Sequence, residues 1–399
     1  MNLAKRLQLI KPSPTLMVTV QVAALRRQGI EVIDFGAGEP DFDTPEHIKE
    51  AAVVALKQGK TKYTPVGGTA ELKEAIITKL QRDNGLTYGM QEVTTNCGGK
   101  HTLFNAFHAL FDDGDEVLIP APYWVSYSDM AILAGGRPKL LPTSEKTGFK
   151  ITATQLEEAI GPKSKVLLLN SPSNPTGAAY TEEELRRIAE VVERSTLFVI
   201  SDDVYEKFLY DSPRCPHILT LKPHLRDRVL IANSVSKTYA MTGWRLGYAA
   251  GPKDLISAIE TLQSQSTSNP TAITQAAAVV ALTGTQEPVG IMAKEFAKRR
   301  MYVVERLRAI PGISCTLPEG AFYVFPRVSS YFGAKWQDKT ITSAMDLSLY
   351  LLQEAKVAVV AGEGFGSGEH MRISYATSMK NLEQGLDQIE MALKRLSSL

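Results

Sequence analysis

Ser234-Val235-Ser236-Lys237-Thr238-Tyr239-Ala240-Met241-Thr242-Gly243-Trp244-Arg245 is the stretch whose reading decides the fold. The apolar run ahead of it, 228–232 (RVLIA), reads as a buried strand ending at Asn233. A lysine then sits in a hydroxyl-rich turn, with an arginine eight residues further on. So placed, Lys237 can form an imine with a carbonyl compound while Ser234 and Arg245 hold an anion beside it. A solvated lysine at a strand exit is the competing reading, and the rest of the chain has to decide between them.

Working outward, short runs rich in Val, Ile and Leu recur at 117–120, 166–170, 197–202, 229–233 and 246–251. Helical patterns separate most of them. Thr181-Glu182-Glu183-Glu184 is a capping box ahead of Leu185, Ile188, Ala189 and Val192, which share one helical face. Thr44-Pro45 opens another helix that closes near Gly59, and a third is expected over 70–84 with Gly85 behind it. Continuous apolar strands alternating with helices predict an α/β fold, with a mostly parallel, doubly wound sheet covered on both faces. After about Pro288 the pattern changes to a long basic helix (293–309) and short strands at 320–325, 357–361 and 371–375. The expected division is a large domain over 45–288 and a smaller α+β domain from 1–44 and 289–399.

Bulk properties restrict the partners. A chain of 399 residues is long for one compact core. A net charge of +1 gives no electrostatic case for nucleic acid or an anionic membrane. Cys97, Cys215 and Cys315 are scattered and odd in number, which excludes a zinc ribbon and a disulfide frame and points to the cytoplasm. No metal site is expected. Lys5, Arg6 and Lys11 interrupt the N-terminal apolar residues, and no apolar stretch reaches membrane-spanning length. The glycine-rich 362–368 matches neither G-x-G-x-x-G nor a P-loop and leads into a strand, so it reads as a mobile connection.

In open α/β sheets ligands bind outside the carboxyl ends of the strands. Three such ends carry polar residues: Ser171 to Gly177 (SPSNPTG), Asp202-Asp203-Val204-Tyr205, and Ser234 to Lys237. Singly, Asn174-Pro175-Thr176-Gly177 makes a good turn, Asp202 a helix cap, and Tyr205 a packing residue. Their coincidence at successive strand ends is what a turn-only account leaves unexplained. Gly98-Gly99-Lys100 ahead of an apolar helix leaves backbone amides free for a phosphate. Trp124, in Pro122-Tyr123-Trp124, can cover a flat ring.

With these motifs in place, the chain resembles the class I aminotransferases of pyridoxal-phosphate fold type I, and among them the bacterial-type aspartate aminotransferase subgroup. The resemblance rests on Gly36 to Phe42 (GAGEPDF), Tyr63-Thr64-Pro65, Gly98-Gly99-Lys100, Pro122-Tyr123-Trp124, Asn170 to Gly177 (NSPSNPTG), Ser201 to Tyr205 (SDDVY), Ser234 to Tyr248, and Met371 to Tyr375 (MRISY). It implies pyridoxal 5'-phosphate as cofactor, bound covalently at its aldehyde by Lys237. It further implies that Asp202 pairs with the ring nitrogen, that Tyr205 and Asn174 bond the ring's 3-oxygen, and that Trp124 stacks on the ring. Gly99 and Lys100 (through their backbone), Ser234, Ser236 and Arg245 take the phosphate. Arg372 and the Gly38 amide take the substrate α-carboxylate, a task suited to a bidentate guanidinium. Tyr63 resembles a tyrosine that reaches the neighbouring subunit's phosphate, which implies a homodimer with shared active sites.

There are two departures. Asp203 stands where the family commonly has glutamate, at a position not expected to touch cofactor; no arginine occurs in 264–269, where another branch places one for a distal carboxylate, and this one bears on substrate. Lys100 is the candidate for that task here, and Lys11 and Thr15, in Lys11-Pro12-Ser13-Pro14-Thr15, resemble a segment that folds over the site and bears on acidic substrates. The expected reaction moves the amino group of aspartate to 2-oxoglutarate, with prephenate as a further acceptor. An aminotransferase for aromatic or neutral amino acids, a carbon–sulfur β-lyase on the same scaffold, and a non-catalytic binding protein are the alternatives.

Overall fold

The computed structural model describes residues 3–10 and 14–397. All five apolar runs between 117 and 251 are strands of one seven-stranded sheet. In chain order its strands are β1 (Val93–Asn96), β2 (Glu116–Ala121), β3 (Arg137–Pro142), β4 (Ser164–Asn170), β5 (Phe198–Asp202), β6 (Val229–Ser234) and β7 (Gly247–Ala250). Across the sheet they lie in the order β1-β7-β6-β5-β4-β2-β3. The five from β3 to β6 run parallel, while β7 is antiparallel to both β6 and β1. Strands covered on both faces must be apolar on both, and Val229, Leu230, Ile231 and Ala232 of β6 are buried without alternation. The register pairs Asn170 with Asp202 and Asp202 with Ala232, so β4 and β5 end level and β6 runs two residues further, to Ser234.

Sequence patterning missed two strands of this sheet. In β1, Thr94, Thr95 and Asn96 are polar yet fully buried. Gln263 compensates part of this burial: its Oε1 accepts from Asn96 Nδ2 at 2.6 Å and its Nε2 donates to Thr95 O at 2.8 Å, while the Thr94 and Thr95 hydroxyls have no protein partner. The β3 strand contains Pro138 and Pro142, residues that a sheet accepts at its edge, which is where β3 lies.

The first four α-helices are α1 (Pro14–Arg27), α2 (Glu46–Lys57), α3 (Ala70–Asn84) and α4 (Gly99–Leu110). The Thr69 hydroxyl caps α3 by accepting from Leu72 N, and Gly85 closes it at φ 68°. The Thr181–Glu184 capping box opens the helix Glu182–Arg194 with both reciprocal bonds made. The long basic helix begins at Glu287, six residues earlier than expected, because Pro288 falls in its first turn, where no amide is needed.

The C-terminal part holds a small antiparallel sheet in the order Val360–Ala361, Met371–Ser374, Tyr323–Val324. The run expected at 357–361 is split, its first half (Val357–Ala358) pairing in parallel with Ile33–Asp34. The strand expected over 320–325 shrinks to Tyr323–Val324, since Ala321 turns to φ 55°. The 362–368 stretch is a packed turn, with Phe365 fully buried against Phe325. Among the described residues no helix is long and apolar enough to cross a membrane, and no cluster of His, Cys, Asp or Glu could hold a metal ion.

Candidate active site

The carboxyl ends of β4, β5 and β6 open onto a cavity of about 310 Å³. It brings together Lys237, Asp202, Tyr205, Asn174, Trp124, Gly99, Lys100, Ser234, Ser236, Arg245, Gly38 and Arg372. Tyr63 is not among them. It is 91% exposed and lines a separate surface recess with Lys60 and Asn269. Lys11 and the side chain of Thr15 lie outside the described residues.

Lys237 reaches the cavity from the turn after β6, and its Nζ donates to Gly38 O at 2.5 Å. Burial pushes the amine down to about 8, opposed by Glu39 and assisted by Arg372 and Arg245. Asp202, the last residue of β5, is 6% exposed, and burial pushes its carboxyl up to about 6. Tyr127 opposes that shift by donating to Oδ2 at 2.6 Å, and the neighbouring Asp203 adds to it. A buried acid and a buried amine, each drawn toward neutrality, therefore share one cavity, the pattern that marks groups used in proton chemistry.

An anion cup forms the next wall. Thr102 N and His101 N bond back to Gly98 O, leaving the Gly99 and Lys100 amides at the open end of α4. Gly98 is required there twice over: its φ is 96°, and a Cβ would lie 2.3 Å from an Arg245 guanidinium nitrogen. The Ser234 amide is bound by Asn233 Oδ1, and its Oγ accepts from Ser236 N, which leaves the Ser234 hydroxyl proton free to donate. Arg245, itself at φ 55°, is steadied by its bond to Thr242 O.

Arg372 forms the opposite end. It is 2% exposed, donates to Asn174 Oδ1 at 3.0 Å and to Gly36 O at 2.7 Å, and lies over the Tyr323 ring. Its Nε is buried with no protein partner. A buried guanidinium with an unspent donor beside a cavity is suited to receive a carboxylate. Lys100 stands at the rim with its ammonium 4.9 Å from the Trp124 ring centre, its pKa lowered by burial against the wall and then by Arg245.

Beneath the floor, Glu206 accepts from Lys79, from Asn84 Nδ2 and from Asn233 Nδ2. Its burial is thus compensated from three sides; the ion pair ties α3 to the segment after β5, and the Asn233 bond ties that segment to β6. Tyr127, Tyr323 and Thr19 also line the cavity and were not anticipated. Tyr127 had a usable signal, lying one helical turn beyond Trp124; Tyr323 sits in an aromatic strand indistinguishable from core.

The class I and II aminotransferase family model matches residues 30–389. The chain belongs to that family. It is 47% identical over 392 residues to the aspartate aminotransferase of Geobacillus stearothermophilus, covering 98% of each chain. It is 46% identical over 402 residues to the aspartate/prephenate aminotransferase of Nitrosomonas europaea, covering both chains fully. The crystal structure of the Rhizobium meliloti aspartate aminotransferase matches with a TM-score of 0.95 at 47% identity, over 99% of this chain and 100% of that one. The α/β architecture with its mostly parallel sheet is therefore the family's own.

Proposed function

We propose that this aminotransferase uses pyridoxal 5'-phosphate to move the amino group of aspartate to 2-oxoglutarate, giving oxaloacetate and glutamate, and also transaminates prephenate to arogenate. The carrying observation is one cavity in which Lys237, Asp202 and an anion cup lie between two cations, Arg372 and Lys100. The relatives from Geobacillus and Nitrosomonas, named for aspartate and for aspartate and prephenate, support those two substrates.

The residues present fit the cofactor. The free Ser234 hydroxyl, the Gly99 and Lys100 amides, Ser236 and Arg245 would hold its phosphate, and Asp202 would face its ring nitrogen. Tyr205 and the Nδ2 of Asn174 would face its 3-oxygen, with Trp124 on the ring. When bound, the group supplies an aldehyde that takes up amines and a ring that accepts electrons from a breaking Cα–H bond. Lys237 supplies the mobile proton: a lowered pKa lets Nζ take a proton from the substrate carbon and return it near neutral pH. Arg372 holds the α-carboxylate bidentately and orients that carbon. Lys100, assisted by Lys11 and Thr15, attracts the second carboxylate of a dicarboxylic substrate.

The division at 44/45 and 288/289 belongs to this reading, with Gly38, Tyr323 and Arg372 from the smaller unit meeting Lys237 and Asp202 from the larger. So does a cytoplasmic homodimer. Tyr63 stands in solvent, and Val53, Val54 and Leu56 of α2 are exposed apolar residues that a second copy would cover. Sedimentation equilibrium should give twice the chain mass, and a monomer at micromolar concentration would reject shared sites.

The deciding experiment pairs aspartate, alanine and phenylalanine with 2-oxoglutarate, oxaloacetate and prephenate. Aspartate with 2-oxoglutarate should be the fastest pair and prephenate a measurable acceptor. Lys100→Ala should raise KM for aspartate about two- to fivefold, the range an exposed ion pair supplies, and leave KM for alanine unchanged. An equal rise for both donors would reject the assignment of Lys100. Release of pyruvate and ammonia from cystathionine without an oxo acid would instead assign a lyase.

A further inference from the structure

Tyr205 and Tyr323 meet hydroxyl to hydroxyl at 2.8 Å, both buried. They come from separate parts of the chain. Tyr205 lies three residues beyond Asp202, while Tyr323 is on the short strand that pairs with the Arg372 strand through Ser374. Burial raises both phenols above their ordinary value, so each keeps its proton at neutral pH. Two hydroxyls bring two protons, and the bond between them uses one.

Their neighbours decide which one. The Arg372 guanidinium lies 4.6 Å from the centre of the Tyr323 ring and makes that phenol the more acidic. Arg372 acts in the same sense on Tyr205, but there the Tyr323 hydroxyl and Asp202 oppose it. The more acidic hydroxyl donates and the less acidic accepts. Tyr323 is also confined on its far side, since a Cβ on Gly38 would lie 3.1 Å from its oxygen. We propose that Tyr323 is a positioning residue that donates to Tyr205 Oη and thereby frees the Tyr205 proton for the cofactor's 3-oxygen. This rests on the reading that the cavity takes pyridoxal 5'-phosphate. A hydroxyl that accepts one bond becomes the stronger donor in the next, so the pair transmits the substrate-carboxylate end of the cavity to the cofactor end.

The test is the pH titration of the bound cofactor's absorbance in wild type, Tyr323→Phe, Tyr205→Phe and the double variant. A donor at the 3-oxygen stabilises negative charge there and lowers the titration midpoint, so weakening the donor raises it. Tyr323→Phe keeps the ring under Arg372 and should raise the midpoint by about 0.3 unit, the share that polarisation along a bonded chain supplies. Tyr205→Phe should raise it further, and the double variant should match Tyr205→Phe alone. Binding of succinate, a dicarboxylate without an amine, should stay within about twofold of wild type in Tyr323→Phe, because Arg372 keeps its bonds to Asn174 and Gly36. The charged groups bearing on the pair are Arg372, Asp202 and Glu39, all unchanged in these variants. An unmoved midpoint in Tyr323→Phe, with or without a lower melting temperature, overturns the proposal, as does a double variant whose shift is the sum of the singles. A wild-type protein with no cofactor absorbance would overturn the cofactor reading itself, and this proposal with it.

Discussion

Lys237→Ala is expected to lower kcat by at least about 10⁴-fold, since it removes proton transfer, which alone contributes about 10²–10⁴-fold, together with the covalent tether. Borohydride reduction followed by proteolysis should find the cofactor on the peptide containing Lys237 in wild type and nowhere in the variant. Burial brings the amine down to about 8. Near pH 7.5 roughly a quarter of the Lys237 side chains are then neutral, against about one in a thousand for an ordinary lysine. Because the folded value is depressed, the neutral amine accumulates as pH rises through about 8 and then saturates. Capture of pyridoxal phosphate by the cofactor-free protein, followed by stopped-flow absorbance, should accelerate up to about pH 8 and level off. A rate still climbing between pH 9 and 10 would mean that the cavity does not depress this lysine, and the assignment of its neighbours would lose its physical basis.

The parts of this molecule that were legible in its sequence share a physical cause. A strand buried on both faces has to be apolar at every position, so β4, β5 and β6 announce themselves, and the polar residues at their ends stand out by contrast. The parallel register then sets Asn170, Asp202 and Ala232 side by side, which turns three unrelated turns into one wall. Residues whose meaning depends on a distant partner were not legible. The threonines of β1 look like loop, and the bond that ties this strand inside, from Gln263 to the Thr95 carbonyl, spans 168 residues of sequence. Tyr127 shows only its place one helical turn beyond Trp124, and its bond to Asp202, 75 residues away, leaves no mark in the sequence. Arg372 was reached through family resemblance alone, because an arginine within an apolar strand has no local signature of ligand binding.

Asp202→Asn is expected to move activity and stability in opposite directions. The substitution keeps size and the bond from Tyr127 but removes the charge, so it cannot hold a proton on the cofactor nitrogen. Losing one preorganised electrostatic contact of this kind costs on the order of 10³-fold in kcat. For stability the sign is reversed. The carboxyl is raised from 3.8 to about 6 by burial, so keeping it ionised at neutral pH disfavours the folded state. Below about pH 4 the carboxyl is protonated whether folded or not, and no penalty exists. Between about pH 4 and 6 the unfolded chain ionises first and stability is lost. Above pH 6 the loss is complete, at about 2–3 kcal/mol. Thermal melts of the cofactor-free proteins should therefore coincide near pH 4 and separate by pH 7, with Asp202→Asn the more stable. A variant that is both less stable at pH 7 and within tenfold of wild-type kcat would show that Asp202 serves the packing of β5 and that its charge is not used.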